Sequence, residues 1–336
     1  MRQSWFVFLL LLGCTRLGAE PPDAPVLISQ PEAFQTLVNP ECSHCVDEAK
    51  RRAGELRDDD RVLSWVRGYS DGGAIPYRFF LNRYRVISDS YGVFVYDPDA
   101  DFARGFAPSY DFSFYGWRGG VMVMKHKDGT LYSCLTGLAF AGPKQGERLK
   151  PLPTQVTDWG DWLKRYPRGV AYKMFEKYQP VELAAQPNAE AAKSRGPSDK
   201  RLADDAMVFG VFDGMSSRAY PLDALAKSGL VREENEGEPR VIVWYGPTKT
   251  AAAYRPLAAP SKKEEGQPRP VTIQIGDKMS AAPFIDSETG SHWDIAGRAV
   301  DGELKGWTLE WLDGTQVKWF AWAAEFSQTS IYQTQP

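Results

Sequence analysis

Two stretches of the chain share one pattern of glycines and tryptophans. Residues 137–172 read GLAFAGPKQGERLKPLPTQVTDWGDWLKRYPRGVAY, and residues 297–332 read GRAVDGELKGWTLEWLDGTQVKWFAWAAEFSQTSIY. Nine of the 36 positions are identical without a gap, whereas unrelated sequences of ordinary composition would share about two. The identical residues include Trp159 and Trp162, which fall on Trp319 and Trp322. The pattern predicts that one folding module occurs twice in tandem.

The similarity continues toward the start of each copy at a smaller shift. Asp59, Asp60 and Pro76 fall on Asp204, Asp205 and Pro221 at a shift of 145 instead of 160. A longer loop in the second copy, over residues 260–268, would account for the change. We therefore expect a first copy over residues 59–172, a linker over 173–203 with an exposed loop at 187–200, and a second copy over 204–336.

Within each copy, short apolar runs that end at Gly or Pro predict strands. The runs lie at residues 62–66, 92–96, 207–211 and 241–245. One helix is expected to close each copy, capped by Thr157 in the first, and tryptophans three residues apart would share the face that docks on the sheet. The predicted fold class is mainly β with a few helices (α+β): two tandem antiparallel sheets or partly closed barrels, each covered by a helix.

The N-terminus carries an export signal. Arg2 precedes a short apolar run, and residues 11–14 read LLGC, the pattern at which bacterial lipoproteins are cleaved and the cysteine is acylated. The alternative is ordinary secretory cleavage after Ala19. We expect a signal peptide over residues 1–13, a lipid on Cys14 and an exported Pro-rich stalk over 14–38. The protein would be tethered to the envelope through its lipid only, or else secreted.

Composition narrows the classes of partner. The formal net charge of -3 gives no reason to expect nucleic acid. Aromatic residues make up 13% of the chain, with 11 Trp. Aromatic side chains of this kind fill sheet-rich cores, and they also form stacking platforms for sugars.

Three cysteines follow Cys14 and cannot all pair with one another. Cys42 and Cys45 flank His44 near the start of a helix predicted over residues 39–58, where the helix dipole favours a thiolate. With Cys134 they are candidates for a redox or metal site. The alternative is a local disulfide without a catalytic role.

A second candidate site is acidic. Asp97, Asp99 and Asp101 alternate along a segment that we expect to be extended, so Asp97 and Asp101 could point the same way. Oxygen ligands at this spacing resemble part of a calcium loop, although no Gly at the sixth or Glu at the twelfth position supports an EF-hand. The alternative is a solvated acidic loop.

Several ordered motifs together resemble a known family. Arg-Ala-Tyr-Pro-Leu stands at residues 218–222, Glu-Thr-Gly-Ser-x-Trp at 288–293 and Thr-x-Trp-x-x-Trp at 157–162. With these motifs the chain resembles the bacterial family numbered 3179 among the domains of unknown function. The resemblance implies a β-rich module and does not assign an activity.

The chain departs from that family where chemistry would be expected. Members carry Tyr-Cys-Pro-Leu-Cys-Gly, and here the aligned residues are 96–101 and, in the second copy, 245–250. The Asn-x-His-Glu segment is replaced by Asn-Arg-Tyr-Arg at residues 82–85. Thiols with an imidazole and a carboxylate are typical of soft-metal or redox chemistry. The resemblance therefore implies that this chain has lost that chemistry from both copies.

These observations favour a non-catalytic lipoprotein that serves as a binding or scaffolding unit in the cell envelope. Its partner would be an unknown ligand or protein held between the copies, and no cofactor is predicted. The alternative is a metal-handling or thiol-redox enzyme that uses Cys42 and Cys45 in place of the lost groups.

Overall fold

The computed structural model describes residues 25–38, 46–48, 56–67, 71–82, 84–88, 91–107, 110–172, 188–235, 237–260 and 266–333. The signal peptide, Cys14, Cys42, His44 and Cys45 lie outside these ranges, so their predicted roles stay predictions. Within the ranges, no helix has both the length and the apolar character needed to cross a bilayer.

The first copy and the residues before it are built mainly from short strands. The strands are β1 Leu27–Ser29, β2 Gln35–Val38, β3 Val46–Glu48, β4 Arg61–Arg67, β5 Asp71–Pro76, β6 Tyr84–Ser88, β7 Val93–Asp97, β8 Phe102–Phe106, β9 Phe112–Arg118, β10 Val121–His126, β11 Leu131–Ser133, β12 Ala139–Ala141, β13 Thr154–Asp158 and β14 Val170–Tyr172. Two helices accompany them, α1 Tyr77–Asn82 and α2 Trp159–Arg165. They form three sheets with the strand orders β13-β4-β5-β14-β3, β2-β6-β7-β8 and β1-β9-β10-β11-β12.

The second copy follows a short helix, α3 Ala189–Lys193. Its strands are β15 Met207–Phe212, β16 Ser217–Pro221, β17 Leu230–Asn235, β18 Glu238–Tyr245, β19 Thr250–Ala259, β20 Arg269–Pro270, β21 Ile273–Ile275, β22 Phe284–Asp286, β23 His292–Trp293, β24 Thr308–Trp311, β25 Gly314–Lys318 and β26 Ser330–Ile331. Its helices are α4 Leu222–Ser228 and α5 Trp319–Glu325. The sheets are β25-β15-β16-β26, β17-β18-β19-β20 with β24 also on β19, and β21-β22-β23.

Both copies follow the same topology. A hairpin (β4–β5 or β15–β16) pairs antiparallel with the last long strand (β13 or β25) and parallel with the strand after the closing helix (β14 or β26). Val170 faces Gly73 in the first copy, and Ser330 faces Arg218 in the second. The fold is therefore mainly β with a few helices and contains one module twice.

The irregular loops of the copies also correspond. Gly137 and Gly297 both have positive φ, at 67° and 72°, a conformation that glycine adopts without steric cost. The amide of Leu149 donates to the carbonyl of Gly137 at 2.9 Å, and the amide of Leu309 donates to that of Gly297 at 2.8 Å. These bonds support the shift of 160 found in the sequence.

The alignment at the start of the copies was wrong by one residue. The amide of Trp159 donates to the carbonyl of Asp60 at 2.8 Å, whereas the amide of Trp319 donates to that of Ala206 at 2.8 Å. Asp58 rather than Asp59 therefore corresponds to Asp204. The reason is that the first hairpin connection is one residue shorter in the second copy, as the pairing of Val62 with Pro76 and of Val208 with Pro221 requires.

Two predicted helical features differ in the structure. The last helix of the first copy starts at Trp159 after Asp158, and Thr157 is still part of β13, where its hydroxyl donates to the Asp161 carboxylate at 3.2 Å. Residues 46–48, predicted to be helical, form β3 and pair with β14. Pairing with the free edge of β14 outweighs the local signals for a helix.

Two segments expected to be exposed connections instead pack on the first copy. In the stalk predicted over residues 14–38, the β-branched and apolar runs around Ile28 and Leu37 add strands to β9 and β6. In the predicted loop at 187–200, Asn188 caps α3 by accepting hydrogen bonds from the next amides. Ser194 then holds this segment against the first copy, because its hydroxyl accepts a hydrogen bond from the Gly120 amide at 2.9 Å.

The main hydrophobic core belongs to both copies. It joins side chains of the first copy, among them Trp117 and Met122, to Val317 and Trp322 of the second. Trp159 and Trp162 are fully buried with stacked rings 5.4 Å apart, and Trp319 is fully buried too. Because one core spans the duplication, the two modules stabilise each other.

Candidate functional site

Two equivalent turns lie between the copies. Residues 98–101 join β7 to β8, and residues 246–249 join β18 to β19. Each turn ends in a residue with left-handed backbone, Asp101 with φ 52° and Lys249 with φ 50°, and these are the non-glycine residues with positive φ in the described part of the chain. Asp101 and Lys249 therefore occupy the same position in the two copies.

This equivalence corrects the alignment of the family motif in the second copy. The left-handed position suits the Gly that ends Tyr-Cys-Pro-Leu-Cys-Gly, so the two family cysteines correspond to Asp97 and Ala100 in the first copy. In the second copy they correspond to Tyr245 and Thr248, whereas the sequence alignment had placed them at Gly246 and Lys249. Tyr-Gly-Pro at 245–247 reads like Tyr-Asp-Pro at 96–98, and only the backbone reveals the offset.

Each turn contacts the opposite copy. The amide of Lys318 donates to the carbonyl of Ala100 at 2.9 Å, and its Nζ donates to the carbonyl of Asp99 at 2.8 Å. On the other side, the Arg61 guanidinium donates to the carbonyl of Thr248 at 2.6 Å and to the Asp158 carboxylate at 2.7 Å. The turns that occupy the place of the family motif are thus held at the junction of the copies.

A cleft, called here the intercopy cleft, lies along this junction and has two unequal halves that share Arg61, Met207 and Gln316. The first-copy half, of about 250 Å³, is completed by Tyr77, Tyr96, Asp101 and Val156. The second-copy half, of about 780 Å³, is completed by Asp158, Leu222, Asp223, Ala226, Trp244 and residues 246–249.

Side chains at equivalent positions of the two halves differ. Tyr77 and Leu222 each follow the proline that ends the hairpin, and Tyr96 and Trp244 each precede the last residue of their strand. In the first copy both tyrosines are buried with ring centroids 4.3 Å apart. In the second copy the aliphatic Leu222 and the partly exposed Trp244 take these positions.

Asp97 is a structural group of the first turn. Its buried carboxylate accepts hydrogen bonds from the amides of Asp99, Ala100 and Met122 at 3.0, 3.1 and 2.9 Å. Burial raises the pKa of Asp97 to about 7, the charge of Asp99 adds to the rise, and the three amides oppose it. The Asp97 carboxylate therefore fixes the backbone of this turn. Asp97 stands where the family motif has its first cysteine.

The acidic segment was expected to be extended, and residues 98–101 instead form a turn. The Asp99 carboxylate accepts from the Asn188 amide at 2.6 Å. Of the three carboxylates, only Asp101 lines the intercopy cleft. In the described ranges, no three His, Cys, Asp or Glu side chains are grouped so that they could hold a metal ion.

The other described candidate residues do not line the cleft. Cys134 is a free, fully buried thiol, and burial raises its pKa well above its ordinary value, which disfavours the reactive thiolate. Pro76 and Pro221 end β5 and β16. Trp159, Trp162, Trp319 and Trp322 belong to the hydrophobic cores behind the sheets.

A separate cavity of about 230 Å³ lies where the segment after α3 meets α5. Its lining includes Pro25, Gly119, Arg195, Asp199 and Phe320. The Arg195 guanidinium lies 3.6 Å from the centre of the Phe320 ring. This cavity is smaller than the open half of the intercopy cleft and shares no residue with it.

Comparison with curated proteins and with solved structures finds no match to the chain. A family model described as a protein of unknown function (DUF3179) matches residues 118–329, which cover the last strands of the first copy and almost all of the second. This match includes the second turn and most of the open half of the cleft. The chain belongs to the DUF3179 family.

Proposed function

We propose that this chain is a non-catalytic, exported lipoprotein that binds a small ligand in the second-copy half of the intercopy cleft. The volume of that half supports the proposal, since ligand sites in proteins usually measure about 300–1,000 Å³. The first-copy half, at about 250 Å³, is smaller, and its two tyrosines pack against each other. Duplication followed by divergence would thus leave one binding site.

The lining favours binding over catalysis. Trp244 offers an aromatic face, and Arg61, Asp158, Lys249 and Gln316 offer polar groups beside it. Among the described residues that line this half there is no Cys, His or Ser, so a Ser–His or Cys–His pair is not found there. The Thr248 hydroxyl is occupied by a hydrogen bond with the Thr250 hydroxyl at 2.8 Å.

The proposed location rests on the N-terminal sequence. The LLGC pattern at residues 11–14 supports acylation of Cys14, and the apolar run before it supports export. A ligand-binding module tethered in this way would act in the cell envelope.

The proposal is tested by calorimetric titration with three probes of different chemistry: chitotetraose, trialanine and dodecanoate. We expect at least one probe to bind with a Kd below about 1 mM, and Leu222→Tyr to weaken that binding at least about tenfold because the larger ring would intrude from the wall of the open half. Tyr77→Leu makes the reverse exchange in the first copy and serves as the matched control. Failure of all three probes to bind, or equal binding by Leu222→Tyr and wild type, would contradict the proposal.

A further inference from the structure

An apolar groove continues from the intercopy cleft along the second copy. It has a volume of about 390 Å³, and Ile275, Met279 and Phe284 line it. Ala226, Trp244, Gly246 and Pro247 line both the groove and the open half of the cleft. Trp244 therefore lies where a polar site passes into an apolar one.

The groove exposes large apolar groups at its mouth. Met279 is 76% exposed and Ile275 is 36% exposed. Isolated exposed apolar side chains are common on protein surfaces, but these two line the same cavity as Trp244 and Phe284. Apolar groups gathered around one cavity are typical of a binding groove.

Cationic side chains outnumber carboxylates by one beside this continuous site. Lys249 lines the cleft and Lys278 lines the groove, and neither forms an ion pair with a described residue. Arg61 is already paired with Asp158, and Asp223 is the other carboxylate on the open half. Over the cleft and the groove together, three cations and two carboxylates leave an excess of one positive charge for a ligand to neutralise.

Building on the proposed function, we propose that the ligand is an anionic amphipath with a single apolar chain. The chain would lie in the groove against Trp244, Ile275 and Met279. Its carboxylate or phosphate group would lie in the cleft, where Lys249 and the Arg61 guanidinium can donate hydrogen bonds to it. The aliphatic stem of Lys278 would cover the chain while its ammonium stays in water.

The ligand chemistry is tested by calorimetric titration with three probes that share a twelve-carbon chain, each below its micelle concentration. Dodecanoate and monododecyl phosphate are expected to bind, and dodecyltrimethylammonium is expected to bind at least about tenfold more weakly because its head is cationic. A preference for the carboxylate would indicate a free fatty acid, and a preference for the phosphate would indicate a monoacyl phospholipid.

Variants at exposed positions locate the two parts of the ligand. Ile275→Glu places a charge in the groove, and Lys249→Ala removes the proposed partner of the head group, so each should weaken dodecanoate binding about tenfold or more. Met215→Ser, at a position 81% exposed in the β15–β16 connection, and Lys305→Ala on the outer surface are the matched controls and should bind as wild type does.

Two results would overturn the inference: equal affinity for the anionic and cationic probes, or no effect of Ile275→Glu on dodecanoate binding. It would also fail if chitotetraose or trialanine bound in a manner sensitive to Leu222→Tyr while no dodecyl probe bound. In that case the proposed function would stand, with a ligand of different chemistry.

Discussion

Asp97 shows how one buried carboxyl group couples the first turn to pH. Its pKa is about 7 in the folded protein, against an ordinary value of 3.8, so the folded state holds this proton over a pH range in which the unfolded chain has lost it. The contribution of Asp97 to stability is therefore complete below about pH 4 and is lost as the pH rises toward 7, by up to about 4 kcal/mol. Asp97→Asn cannot ionise, so its free energy of unfolding should fall less across this range. Urea denaturation at several pH values measures the difference.

The exposed Asp59 provides the control for that experiment. Asp59→Asn should keep the pH dependence of the wild type. If Asp97→Asn and the wild type lost equal stability between acid and neutral pH, the assignment of this titration to Asp97 would be wrong.

Gly210 shows how closely the repeated tryptophans approach the sheet. A Cβ atom on Gly210 would lie 2.3 Å from the Trp322 ring, so Gly210→Ala should force the indole to move and should lower the free energy of unfolding by about 1–3 kcal/mol. The control is Gly246→Ala, whose Cβ would have its nearest neighbour at 3.9 Å. Urea denaturation compares the two variants, and equal stabilities would contradict the packing described here.

At the scale of elements, β8 of the first copy is joined to the β24–β25 connection of the second by a buried ion pair. The Arg104 guanidinium pairs with the Asp313 carboxylate and also donates to the carbonyl of Leu135 at 2.6 Å. Arg104→Met would leave Asp313 unpaired in a poorly solvated position and should lower the free energy of unfolding by about 3 kcal/mol. Adding Asp313→Leu should restore much of that loss. Arg255→Met, in the exposed Arg255–Glu310 pair, should cost less than about 1 kcal/mol.

The sequence predicted the elements whose signals are local and repeated. Spaced glycines and the Trp159–Trp162 pair identified the duplication, because a left-handed turn and a closely packed ring each tolerate few residue types. The sequence did not predict β1, β2 or β3, because their pairing depends on strand edges supplied by distant residues. The sequence alignment of the two copies was also wrong by one residue at Asp58 and at Lys249. A short connection can lose one residue without any change in composition that the sequence would reveal.

The candidate site was predicted only in outline. The family turns were identified as the place where chemistry had changed, and a site between the copies was expected. Arg61, Leu222, Trp244 and Gln316 were not singled out, because no motif joins them. Their meeting in one cleft results from how the two copies pack, and comparing Tyr77 with Leu222 would have been the available signal.

At the scale of the whole molecule, the shared core predicts that the two copies unfold together. Trp117 of the first copy and Trp322 of the second belong to one buried cluster. Urea denaturation followed by tryptophan fluorescence and by far-ultraviolet circular dichroism should give one coincident transition. Two separated transitions would show that the modules are energetically independent.

The lipid expected on Cys14 can be tested by labelling. In a bacterial host, the full chain should incorporate labelled palmitate and sediment with membranes, whereas Cys14→Ser should do neither. Ala19→Leu is the control, because it blocks the alternative cleavage site and should leave labelling unchanged. Labelling that persists in Cys14→Ser would contradict the lipoprotein assignment.

We infer that divergence of the two copies left one open ligand site between them. A crystal structure of the protein with the probe that binds most tightly would show whether this site is used. We expect the probe to contact Trp244 and to lie within hydrogen-bonding distance of Arg61 or Lys249. A probe found instead in the cavity beside Arg195 and Phe320, with the intercopy cleft empty, would contradict it.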